Sequence, residues 1–155
     1  MINTRKAVIC MKVKDCMCDQ VAYVNPNCSV EECAKIMCNN HVGCIPVCDN
    51  SKQIVGLVTD RDIILRTIGC GKDMKNTNVS DIMTSKVCCC TPDVDVSEAE
   101  KIMSENQIRR LPVIDNNKVI GILTLGDLAA NEAVNTQGVC ATLENICSCN
   151  EKNAE

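Results

Sequence analysis

Phenylalanine and tryptophan are absent from this 155-residue chain, and tyrosine and histidine occur once each, at Tyr23 and His41. Without aromatic rings, single-stranded nucleic acid has no platform to stack on, and a formal charge of −4 gives no electrostatic footprint for a phosphate backbone. Nucleic acid is therefore excluded as an expected partner. A lone histidine leaves little material for acid–base chemistry, and no nucleophile–base pair or paired carboxylates recur along the chain, so no enzymatic activity is expected. No stretch approaches the roughly 18 apolar residues needed to cross a bilayer, and the first ten residues lack the long apolar run of an export signal. A cytoplasmic protein without membrane contact is expected.

What is present is one unit written twice. At an offset of 66 residues, Val13, Asp15, Met17, Pro26, Val30, Glu32, Met37, Pro46 and Asp49 recur as Val79, Asp81, Met83, Pro92, Val96, Glu98, Met103, Pro112 and Asp115. After one extra residue near Gln53 the offset becomes 65, and Gly56, Thr59 and Asp62 recur as Gly121, Thr124 and Asp127. Two copies are too few for an extended solenoid, so they are expected to pack on each other as a pseudo-twofold pair. Ser29 and Asp95, each followed three residues later by glutamate, read as helix N-caps, and Val30, Cys33, Ala34, Ile36 and Met37 fall on one helical face. Short apolar runs at Ile45–Cys48 and Leu111–Ile114 close in Asp-Asn turns, with β-branched runs beyond them. Each copy reads strand, helix, strand, turn, strand, helix, an α/β (α+β) class of fold. The division is an N-terminal segment 1–12, repeats 13–78 and 79–135, and a tail 136–155 with a short helix over Ala141–Ile146. Met11 offers an alternative start that would make the first ten residues dispensable.

Fifteen cysteines in a chain without an export signal are read as reduced thiols. Cys16 stands opposite Ile82, Cys28 opposite Val94, Cys33 opposite Ala99 and Cys48 opposite Ile114, so cysteine replaces ordinary core residues. There is no Cys-x-x-Cys pair, and no metal site is expected. Cys147 and Cys149 lie outside both repeats.

The sharpest motif is Gly56-Leu57-Val58-Thr59-Asp60-Arg61-Asp62 and its echo Gly121-Ile122-Leu123-Thr124-Leu125-Gly126-Asp127. It places a hydroxyl and a carboxylate at a helix start, where phosphate is favoured, but the same spacing makes a purely local capping box. With the hydrophobic-Pro-Val strand ahead of it, twice over, the pattern resembles a CBS (cystathionine-β-synthase-type) domain pair. The strings Leu57–Ile63 and Gln107–Val113 carry the resemblance most closely, and Asp127–Asn131 with Ala141–Ile146 resemble the ends of stand-alone bacterial CBS-pair proteins.

The resemblance implies two adenosine sites in a shared cleft, each using the Thr and Asp of one repeat and the Pro-containing strand of the other. The first would use Thr59 and Asp62 with Ile108, Arg109 and Pro112; the second Thr124 and Asp127 with Val42, Gly43 and Pro46. Aspartate would accept the ribose hydroxyls, threonine would meet a phosphate oxygen, and apolar side chains would sandwich the purine. AMP, ADP, ATP and S-adenosylmethionine are the candidate ligands, no cofactor is required, and self-association into a disc-like homodimer with an unidentified regulated protein is implied. The alternative is a thiol- or metal-responsive sensor on the same scaffold with vestigial nucleotide sites. Arg61 and Arg66 flank Asp62, and Arg109 and Arg110 lie on the strand assigned to the same site, facing uncharged counterparts elsewhere. They predict the first site to be the stronger for phosphorylated ligands.

Overall fold

The computed structural model describes residues 10–148, so Cys149 and most of the N-terminal segment lie outside the described residues. The first copy supplies α1 (Val30–Asn40), β1 (Cys44–Cys48), β2 (Ile54–Thr59) and α2 (Asp60–Arg66). The second supplies α3 (Val96–Asn106), β3 (Arg110–Asp115), β4 (Lys118–Thr124) and α4 (Leu125–Ala130), and α5 (Thr136–Ser148) follows. The fold is α+β, with helices against small antiparallel sheets.

Helix ends follow local chemistry. Ser29 Oγ accepts the Glu32 N–H at 3.2 Å and opens α1. Asp95 departs from the capping expected of it: its carboxylate makes no cap bond to α3, and Lys12 Nζ donates to it at 2.6 Å. α1 and α3 both close on a left-handed residue, His41 and Gln107, each at φ 54°. The leading strand expected in each copy is instead a 3-10 turn, Val13–Asp15 or Val79–Asp81, followed by isolated bridges.

β1 pairs with β2 and β3 with β4, both antiparallel. The one-residue change of offset falls in the hairpin loops. Asn116 and Asn117, at φ 48° and 65°, turn β3 into β4 with the twist that suits a two-residue hairpin. In the first copy the loop is longer, and Asp49 Oδ1 accepts the N–H groups of Ser51 and Gln53.

The packing units are not the sequence repeats. Val13 N–H donates to Val94 O at 2.9 Å, and Cys18 and Ile122 exchange both backbone hydrogen bonds, so the start of the first copy joins the second copy's sheet. In return, Val79 N–H donates to Cys28 O at 2.8 Å, and Thr84 and Leu57 exchange both bonds. The cores record the same exchange. Val13 is buried with Met103, Leu111 and Leu123, while Val79 and Ile82 are buried with Met37, Ile45 and Val58. The repeated glycines permit it: a Cβ on Gly56 would come within 2.4 Å of Met83 Sδ, and one on Gly121 within 2.5 Å of Met17 Sδ.

α5 is longer than the Ala141–Ile146 stretch read from sequence, because Asn135 Oδ1 accepts the Gln137 N–H and starts it earlier. It lies along α3 and α4, burying Val139 and Ile146. No described helix is long and apolar enough to cross a membrane.

Ile82 belongs to the second copy by sequence and to the first by packing. Ile82→Ala is therefore expected to cost about 2–5 kcal/mol in urea unfolding. Hydrogen exchange should show protection falling first in β1, β2 and α1, and loss confined to α3 and β3 would contradict the exchanged packing.

Candidate functional site

Both Thr–Asp motifs are capping boxes. Thr59 Oγ1 accepts the Asp62 N–H at 3.2 Å, while its own hydroxyl and backbone N–H donate to Asp62 Oδ2 at 2.9 and 3.0 Å. Thr124 and Asp127 repeat the arrangement at 3.0, 2.7 and 2.8 Å. Each threonine hydroxyl is thus committed as a donor to its own aspartate. In this arrangement the hydroxyl that was expected to meet a phosphate oxygen is engaged within the box. What each motif still offers is the second carboxylate oxygen, Oδ1.

The two Oδ1 atoms differ. Asp62 Oδ1 lies 3.5 Å from an Arg66 guanidinium nitrogen, and Arg66 also donates to Ile82 O at 2.7 Å and Thr84 Oγ1 at 3.4 Å. Arg66 thus ties α2 to the exchanged segment. Among the described residues no hydrogen bond or ion pair takes up Oδ1 of Asp127. Asp127 lines a cleft of about 500 Å³.

The cleft brings together Thr124, Asp127, Val42 and Gly43, four of the five residues expected in the second site. The fifth, Pro46, is buried in the ladder, where its carbonyl accepts the Val24 N–H at 3.1 Å. Val21, Ala22 and Ile122 add apolar walls, and Gln20, Asn40 and His41 add polar groups at the rim. These residues were missed from sequence. The stretch ahead of α1 leaves the second copy's sheet at Cys18 and reaches the first copy's edge at Val24, so it must cross the seam between them. Only strand pairing reveals that path.

The residues expected in the first site are placed differently. Ile108 packs against the second copy's core, Arg61 and Arg109 extend into solvent, and Pro112 is buried with its carbonyl accepting the Cys90 N–H. Arg110 lines the cleft of Thr124 and Asp127, not the site to which the sequence reading assigned it. Strand geometry explains this. Arg110 opens β3 as the cross-strand partner of Thr124, whereas Arg109 lies in the bend ahead of the strand.

Cys18 and Cys44 also line the cleft. Burial pushes the Cys44 thiol up to about 11; the Arg110 guanidinium opposes the rise, and Asp62 and Asp60 add to it. Burial likewise pushes Cys33, Cys48 and Cys90 up to about 11. Cys28 reaches about 12, through burial and then Glu32. Among the described residues no three His, Cys, Asp or Glu side chains converge as metal ligands.

The CBS domain family model matches residues 13–68 and 79–133, and the chain belongs to the CBS domain family. It is 42% identical over 134 residues to the CBS domain-containing protein YhcV of Bacillus subtilis, covering 86% of this chain and 94% of YhcV. The solved CBS domain pair of protein MJ0100, in complex with 5′-methylthioadenosine and S-adenosyl-L-methionine, matches with a TM-score of 0.70. Identity is 28%, over 77% of this chain and 93% of that one. Hypoxic Response Protein I, solved with two coordinated zinc ions, matches with a TM-score of 0.71 at 26% identity, over 77% of this chain and 97% of that one.

The thiols divide by burial. Folding favours the protonated thiol at the buried positions, so this contribution to stability is intact below the ordinary thiol range and is lost as pH rises through it toward 11. At pH 8, a thiol reagent should label Cys18, Cys38, Cys70, Cys140 and Cys147 in the native protein and reach Cys33, Cys44, Cys48 and Cys90 only in urea. Equal native labelling of the buried four, read by peptide mass, would contradict the burial assignment.

Proposed function

We propose that this chain is a cytoplasmic regulatory module that binds an adenosine compound in the cleft between its two CBS repeats and catalyses no reaction. The observation that carries the reading is Asp127, whose Oδ1 takes no hydrogen bond among the described residues, on the lining of a cleft walled by both copies. An ionised carboxylate there suits the paired hydroxyls of a ribose, and Val21, Val42 and Ile122 suit a purine face. The adenosine ligands of the MJ0100 pair support the same class of compound. A ligand touching both copies stabilises their packed arrangement by mass action, and any partner that distinguishes that arrangement from a looser one is regulated by it.

Titration calorimetry with AMP, ATP and S-adenosylmethionine tests the site. Asp127→Ala should weaken binding by about 10- to 100-fold, the loss of charged hydrogen bonds. Asp62→Ala should weaken it less, since Arg66 already engages that carboxylate. A folded Asp127→Ala protein with unchanged affinity would return the Thr–Asp pair to helix capping alone.

Self-association belongs to the same proposal. Ile64, Leu65 and Ile68 are 56%, 51% and 60% exposed on and just beyond α2, whereas α4 carries Ala129 and Ala130 at the first two positions and packs beneath α5. An apolar face of that kind suits a second copy. Leu65→Asp combined with Ile68→Asp should convert a dimer to a monomer by light scattering. A wild-type monomer at micromolar concentration would overturn the assignment.

A further inference from the structure

We propose that Glu100 makes the docking of α5 onto α3 and α4 pH-sensitive, the helix being held while the Glu100 carboxyl is protonated and loosened when it ionises. Glu100 lies on α3 and is half-buried, and its Oε1 is buried without a hydrogen-bond partner among the described residues. The first turn of α5 closes over it. A Cβ on Gly138 would lie 2.9 Å from Glu100 Oε2 and 3.4 Å from Oε1, so glycine there lets the helix backbone approach the carboxyl. A carboxylate in that place loses water without gaining a donor. Two first-turn amides of α5 are already taken, since Asn135 Oδ1 accepts the Gln137 N–H and Asn135 O accepts the Gly138 N–H, both at 3.0 Å.

No cation answers it from the elements packed around it. One turn away along α3 stand Val96, Ser97, Met103 and Ser104, all uncharged. Lys101, the next residue, is exposed and makes no ion pair among the described residues. Asp127 is the charged residue of α4, Glu132 that of the turn after it, and Glu144 that of α5, whose thiols Cys140 and Cys147 are exposed. Lys12, at the start of α3, is held by Asp95 at 2.6 Å, and the single histidine, His41, closes α1 in the first copy. Burial is the cause that raises the Glu100 carboxyl above the ordinary carboxylate range. Docking therefore favours the protonated acid. Its contribution is complete below the ordinary carboxylate range and is lost as pH rises through the raised value.

The first copy supplies the contrast. Its residue at the matching position is Ala34, so the acid is confined to the copy on which α5 sits. Farther along the same seam Val139, Thr142 and Ile146 are buried, and Asn145 Nδ2 donates to Ser104 Oγ at 3.0 Å. The body of α5 is thus held by apolar burial while its first turn rests on a titratable group.

Hydrogen exchange on the full chain at pH 5 and pH 7.5, corrected for the intrinsic rate, reads the docking. Protection of α5 should fall severalfold between the two, and that of α1 and β1 should not. Glu100→Gln, and Glu100→Ala with the residue of the first copy, should hold the pH 5 level of protection at both. Glu144→Gln, on the exposed face of the same helix, should keep the wild-type fall. Wild-type α5 protection that is equal at the two pH values would overturn the proposal, as would a fall that survives in both Glu100 variants or disappears in Glu144→Gln.

Discussion

The exchange of leading segments between the two copies is the constraint on which the rest of the structure depends. Val13 completes the core around Leu111 and Leu123, and Val79 and Ile82 complete the core around Ile45 and Val58. Each copy would otherwise leave apolar surface open, and small domains have little surface burial to spare. Because Cys18 must meet Ile122 while Val24 must meet Val47, the chain between them has to span the seam. That crossing brings Val21 and Ala22 into the cleft wall. The cleft is thus a by-product of the same pairing that holds the fold together, and its walls come from both copies.

Helix punctuation and ligand chemistry share atoms here instead of competing. In both motifs the cap consumes Oδ2 of the aspartate and the proton of the threonine hydroxyl. Such a box fixes the carboxylate in one rotamer, which is what preorganised recognition requires. The threonine accordingly orients the carboxylate, and the remaining oxygen is what distinguishes the two motifs. Arg66 takes it in the first copy, and nothing does among the described residues in the second.

The repeat, its offsets, the hairpins and the helix starts at Thr59 and Thr124 were legible because they follow from local pattern and turn chemistry. His41 closes α1 and Gln107 closes α3 at matching places of the repeat, both in the left-handed region. The exchanged segments were not legible: Val13 and Val79 occupy identical sequence contexts whether they pack on their own copy or the other. Arg110 was grouped with the first site from sequence, yet it lines the cleft of Thr124 and Asp127, because pairing within the β3–β4 ladder sets which side chain at the start of β3 meets which motif. Asp95 shows a third limit, where a long-range lysine outcompeted a local cap that the sequence pattern favoured.

A core without Phe or Trp has to be filled by small and branched side chains, and thiols take several of those places. Cys33 and Cys48 stand where the second copy has Ala99 and Ile114, so the thiols there fill uncharged core positions. Cys44 is different, because its counterpart is Arg110. At that position the first copy closes its ladder with a buried neutral group, and the second ends it with a cation facing the cleft. Burial pushes the Cys44 thiol up to about 11, so the first copy closes its ladder without a charge where the second carries a guanidinium. Together with Arg61 against Gly126 and Arg109 against Gly43, this pair makes the two copies electrically unequal although their motifs repeat.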